Sequence, residues 1–214
     1  MGTRLLVYDR TRPRGEFWLR SAWATGARIY KSLGRIDAYF GASSWAEALD
    51  WLVAQGPDES IDEIQYWGHG KWGKVYIASD ILSVTALDRG HALHERMKRL
   101  KARLAPDGRS LVWFRTCETF GANAGQAFAT GLTDFLDCRA AGHTYVIHAL
   151  QSGLHGLRPG ETPHWSNLEG IARGTALAPL EAYNSAPSAP NTLHFMNGVI
   201  PDEFFDHTST GPLR

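Results

Sequence analysis

"IDEIQYWGHGKWGKVY", residues 61–76, begins in one apolar run and ends in another, with three glycines between them. Gly68, Gly70 and Gly73 fit the G-x-G-x-x-G of a dinucleotide-binding turn, and Gly68, Gly73 and Lys74 nearly fit the phosphate-cradling G-x-x-x-x-G-K. Either motif needs a helix directly after the glycines, because that helix's N-terminal amides and dipole hold the phosphate. Here Val75, Tyr76 and Ile77 follow, and such β-branched and aromatic residues favour a strand. Val75 also stands where the phosphate motif needs Ser or Thr for magnesium, and Trp72 would crowd the loop. Both motifs therefore read as chance matches in a turn. The chain continues as a hairpin, and His69–Gly70 lie just past the end of a strand.

Working outward, "RLLVYDR" (4–10), "IDAYFGA" (36–42), "IDEIQYW" (61–67), "SLVWFRTC" (110–117) and "TYVIHAL" (144–150) read as strands. Residues 16–33, 43–56, 88–105 and 121–138 read as helices. The second of these opens on a Ser cap and closes on Gly, and the third repeats Leu93, Met97, Leu100 and Leu104 at three and four residues. This alternation predicts an α/β fold: three α-β-α layers around a mostly parallel sheet flanked by helices. One domain is expected over 1–214, with its core at about 4–150 and a loop-rich part at 151–214, from which 192–200 returns to the sheet edge.

Acidic and basic residues balance at 22 each, which argues against nucleic acid or an anionic membrane as partner. No run approaches the roughly 20 apolar residues of a membrane span, and residues 1–14 do not form a signal peptide. Two cysteines, Cys117 and Cys138, indicate a reduced cytoplasmic setting rather than a disulfide framework.

Open parallel sheets present ligands beyond the carboxyl ends of their strands. His69 follows the third strand and Cys117 ends the fourth, so neighbouring strands would bring these residues, 48 apart in sequence, to one edge. An imidazole within reach of a thiol takes its proton or stabilises the thiolate. The helix near Gly121 would lower the thiol pKa, and the amides of Gly70 and Cys117 could receive an oxyanion. A glycine after the histidine lets substrate approach that amide.

On "IQYWGHG" and "LVWFRTCETFGANAGQAFA" the chain resembles the caspase-like superfamily of cysteine peptidases (caspases, metacaspases, separases and bacterial CHAT-type domains) over residues 4–150. The family's histidine stands about 50 residues before its cysteine. "TCET" is closer to the "ACET" of CHAT-type domains than to the caspase "QAC-[RQG]-G", which is absent. The resemblance implies Cys117 as nucleophile, His69 as general acid/base and Gly70 as oxyanion donor, with neither cofactor nor metal. It also implies a peptide or protein substrate, and activation by a partner protein.

Residues two apart in a strand point the same way, so Arg115 is expected to line the cleft beside Cys117. Metacaspases carry an acid at the matching position and accept basic side chains; an arginine instead suits an acidic partner. The alternative is that Arg115 pairs with Glu118 or another structural acid. Asp80 is a candidate for the cleft rim, as are His143, His148, His155 and His164. His91, His94 and Glu95 lack the H-E-x-x-H order and a third ligand, and Cys138 reads as packing. Two functions stay open on this resemblance: a cysteine endopeptidase forming an acyl-enzyme, or a catalytically silent relative that binds a peptide or partner protein in the same cleft; a nucleotide-dependent enzyme using the glycine stretch stands well behind both.

Overall fold

The computed structural model describes residues 2–11 and 17–206, and of residues 17–20 the backbone alone. Residue 16, the first of the expected opening helix, lies outside the described residues. The strands are β1 (Thr3–Asp9), β2 (Ala38–Ala42), β3 (Ile61–Trp67), β4 (His69–Lys71), β5 (Lys74–Ile77), β6 (Asp80–Ser83) and β7 (Leu111–Arg115). They continue with β8 (Arg139–His143), β9 (Leu150–Gln151), β10 (Leu154–Leu157), β11 (Ile171–Gly174), β12 (Pro179–Ala182) and β13 (Leu193–His194). The helices are α1 (Phe17–Ser32), α2 (Trp45–Ala54), α3 (His94–Lys101) and α4 (Ala122–Leu136).

The fold is mixed α/β around a six-stranded sheet in the order β10-β8-β7-β3-β1-β2. All neighbours pair in parallel except β10, which runs antiparallel to β8. Parallel strands are covered on both faces, so they read as continuous apolar runs. β7 obeys this fully, all five of its residues being buried. Leu5, Val7, Ile64, Tyr66, Val112 and Phe114 pack with α2, α3 and α4 on one face. On the other, Leu6 and Trp67 meet Ala27 and Tyr30 of α1, while Trp113 and Ala141 meet Ile200 and Phe205. The arrangement is compatible with a three-layer α/β architecture.

Local chemistry explains the element ends. The Ser44 hydroxyl accepts from Glu47 N at 3.1 Å, the N-cap of α2. Asp137 ends α4 in the left-handed conformation (φ 55°) and turns the chain directly into β8.

That tight turn corrects one expectation. The fifth strand is Arg139–His143, and "TYVIHAL" forms turns and a short piece of β9. The sheet edge is likewise not 192–200: β10 takes it, while β13 pairs only with β9 in a separate two-stranded ribbon. The core thus extends past residue 150, to Leu154, Leu157, Ile200 and Phe205. The third helix is shorter than its apolar repeat, although Leu93, Met97, Leu100 and Leu104 are all buried.

Candidate active site

The glycine stretch is followed by strand β5, so no helix continues directly from these glycines as a phosphate-binding turn would require. β4 and β5 pair antiparallel across Trp72 and Gly73, at φ 37° and 76°. Two positive φ values suit a tight hairpin turn, which glycine adopts freely and tryptophan does not. The turn is held from outside: Trp72 N donates to Glu118 O at 3.0 Å and Gly73 N to Thr119 O at 2.9 Å. The hairpin carrying His69 is therefore tied through its backbone to the residues following Cys117.

Gly70 shows how close the two segments come. A Cβ there would lie 2.2 Å from Thr119 Oγ1, 2.7 Å from Thr116 Oγ1 and 2.8 Å from the Cys117 carbonyl. The two threonine hydroxyls bond each other beneath it, and both side chains are fully buried. β3 and β7 are parallel neighbours whose register ends at Trp67↔Arg115, and His69 and Cys117 each stand two residues further on. Both are half-buried. His69 and Cys117 thus follow neighbouring parallel strands at the carboxyl end of the sheet, and Gly70 packs against the Cys117 carbonyl.

Two further contacts orient the pair. The Trp23 ring of α1 meets the His69 imidazole edge-on, centroids 5.2 Å apart. Cys117 Sγ stands 3.8 Å from the Ile147 carbonyl. Glu118, in the left-handed conformation (φ 55°), donates its amide to Tyr145 O at 3.0 Å, and α4 begins at Ala122 with Gly121 as its cap. The cysteine turn is pinned on both sides.

Arg115 and Glu118 do not fit the open placement expected of substrate-binding residues. Arg115 is 4% exposed: its guanidinium bonds Gln151, Tyr30 and the Phe195 carbonyl, so it neither lines an open cleft nor pairs with Glu118. Glu118 is also buried, which raises its carboxyl pKa against the lowering charge of Lys71. Its Oε2 has no hydrogen-bond partner among the described residues. Positive φ at Glu118 and the aromatic wall around Arg115 turn both side chains inward.

Asp80 is not at the rim either; its carboxylate accepts the Trp45 amide at 2.8 Å, at the start of α2. Of the four candidate histidines, His143 is buried, with its pKa pushed down to about 3, chiefly by burial. His155 bonds Glu169 at 2.6 Å and stacks on Trp165, which His164 meets edge-on. His148 is exposed, 3.1 Å from Asn184 Oδ1. His94 is buried on the Leu87 carbonyl. Cys138 is fully buried in the main core, and its thiol is pushed up to about 12 by burial.

The sequence reading missed Thr116, Thr119, Trp23, Tyr30, Gln151 and Phe195. The threonines carried a signal, two hydroxyls flanking the cysteine three residues apart. The rest converge from distant segments and left none. No described helix is long and apolar enough to cross a membrane. No known protein-family model matches the chain, and no curated protein matches it.

Proposed function

We propose that this chain is a cysteine peptidase of the caspase-like kind, with Cys117 as nucleophile and His69 as proton carrier. The observation that carries the reading is the parallel β3–β7 ladder, with His69 and Cys117 each two residues beyond its last pair. Gly70 packed on the Cys117 carbonyl supports it.

The thiolate of Cys117, beside protonated His69, adds to the carbonyl carbon of a peptide bond, and the carbonyl π pair moves onto oxygen. The amides of Gly70 and Cys117 donate to that oxyanion. Its collapse breaks the C–N bond, and the leaving amine takes the proton from His69, so an acyl thioester remains on Cys117. Water then gives a proton to His69 while its oxygen attacks the thioester. The second collapse releases a carboxylic acid and restores thiolate and imidazolium. A helix starting at Ala122, with its positive end five residues from the thiol in sequence, favours the thiolate. Arg115 can meet an acidic residue before the scissile bond only where the Phe195 segment that covers it moves away.

A catalytically silent binding domain is the second reading, favoured by the burial of Arg115 and Glu118. A peptide-library cleavage assay on the purified chain separates the two. Turnover that Cys117→Ala abolishes and Cys138→Ala leaves intact supports the peptidase. No turnover, with Cys117 no more reactive than a free thiol, supports the binder.

A further inference from the structure

Arg115 keeps its charge at 4% exposure, yet no carboxylate among the described residues bonds it. Nε donates to Gln151 Oε1 at 3.1 Å, Nη1 to the Tyr30 hydroxyl at 2.5 Å and Nη2 to the Phe195 carbonyl at 2.5 Å. Aromatic rings surround it, the guanidinium carbon lying 4.5 Å from the Trp113 centroid, 5.1 Å from Phe195 and 5.2 Å from Trp67. Glu63 acts on it only through space and is itself half-buried, and desolvation raises its pKa against the lowering bond from Gln65. A desolvated guanidinium held by neutral acceptors is stabilised far less than one facing a carboxylate.

The Phe195 carbonyl is the centre of this arrangement. It also accepts from the Tyr30 hydroxyl at 2.6 Å, and the next carbonyl, Met196 O, accepts from Arg35 Nη1. Converging donors with two guanidinium groups on adjacent oxygens make a seat suited to a carboxylate. Apart from these side-chain donors, the segment filling it has few backbone ties to the body of the fold. β13 contributes two pairs with β9 and Phe195 N bonds Ala149 O at 2.8 Å, while Asn197 N bonds His194 O within the segment itself and Met196 and Val199 are exposed. The Phe195 ring lies edge-on to Trp67 at 5.0 Å, beside Gly26, where a Cβ would come within 3.0 Å of it.

We propose that residues 193–198 are an intrasteric strap whose Phe195 carbonyl occupies the seat of an acidic ligand on Arg115 and Tyr30. An acidic side chain of a peptide lifts the strap and takes that seat. The inference rests on the peptidase reading only in assigning the seat, two residues from Cys117, to a peptide substrate.

The test is amide hydrogen exchange at Phe195, whose amide bonds the Ala149 carbonyl outside the strap, with an N-acetylated tripeptide amide ending in Asp and its Asn counterpart as probes. The Asp peptide is expected to speed exchange by ~10-fold or more, and the Asn peptide to leave it unchanged. Tyr30→Phe, which keeps the ring and removes one donor, is expected to weaken the discrimination, and Arg115→Gln to abolish it. Equal effects of the two peptides, or none, overturn the strap. An Asp-directed acyloxymethyl ketone separates this from the enzyme reading. Strap release without Cys117 labelling keeps the strap and removes the peptidase. Asp-selective labelling with the Phe195 amide still protected removes the strap and keeps the peptidase.

Discussion

Replacing Gly70 with alanine tests how the histidine hairpin is seated on the cysteine turn. The added Cβ would meet Thr119 Oγ1 at 2.2 Å, Thr116 Oγ1 at 2.7 Å and Cys117 O at 2.8 Å, all inside the 3.0 Å that real Cβ atoms respect. Neither hydroxyl can swing away freely, because the two are buried and bonded to each other. The hairpin must therefore lift from the turn by a substantial fraction of an ångström. Overpacking of this kind costs about 1–3 kcal/mol of stability. A displacement on the order of 1 Å between reacting groups costs about 100-fold in rate. The assay is the second-order rate of Cys117 inactivation by an acyloxymethyl ketone, measured far below the unfolding midpoint and set beside urea unfolding. Gly90→Ala, with nothing within 4 Å of its added Cβ, is the control and should change neither quantity. Gly70→Ala/Thr119→Ala removes the closest clash and should recover much of the lost rate. Wild-type inactivation and an unchanged midpoint in Gly70→Ala would refute the packing argument.

His143 should make stability depend on pH. Its native pKa is about 3, lowered chiefly by burial, whereas the unfolded imidazole titrates near 6.5. Between these values the unfolded chain binds the extra proton. The contribution is thus complete above pH 6.5 and falls by up to about 1.4 kcal/mol per unit as pH drops toward 3. Urea midpoints of wild type and His143→Gln between pH 4 and 8 should diverge accordingly; parallel curves would contradict the burial account. Trp165 stacks on Phe120 and donates to its carbonyl at 3.0 Å, so Trp165→Ala should lose about 3–5 kcal/mol in chemical denaturation. Asp80→Ala removes the acceptor for the Trp45 amide and should cost about 1 kcal/mol. It should leave the labelling rate of Cys117 at its wild-type value, and a slowed rate would return Asp80 to the cleft.

β3 was legible because "IDEIQYW" carries the β-formers Ile61, Ile64, Tyr66 and Trp67 and is closed by a glycine, and α2 because Ser44 caps it. β8 was not, because the middle of its strand, Ala140–Ala141–Gly142, is built from small residues. The Phe120 ring lies where a Cβ on Gly142 would come within 2.7 Å, so that strand carries no bulky β-formers. Val146 and Ile147 mimic a strand but belong to the turn beside the cysteine, where Val146 N bonds Tyr183 O. Strand alternation set Arg115 in the cleft beside Cys117, whereas the structure buries it. Alternation could not foresee Tyr30, 85 residues away, or Phe195, 80 residues away, covering that side chain. That His69 and Cys117 follow neighbouring parallel strands was readable because it depends on strand order alone; the cover of Phe195 over Arg115 depends on tertiary contacts.

The pH profile of Cys117 alkylation by iodoacetamide, in wild type and in His69→Ala, tests the dyad most directly. Cys138, buried and with its thiol pushed up to about 12, serves as the silent internal thiol. The account predicts that wild-type Cys117 reacts rapidly below neutral pH and that His69→Ala moves its profile toward that of a free thiol, near 8.5. Identical profiles for the two proteins, both rising only near that value, would contradict it.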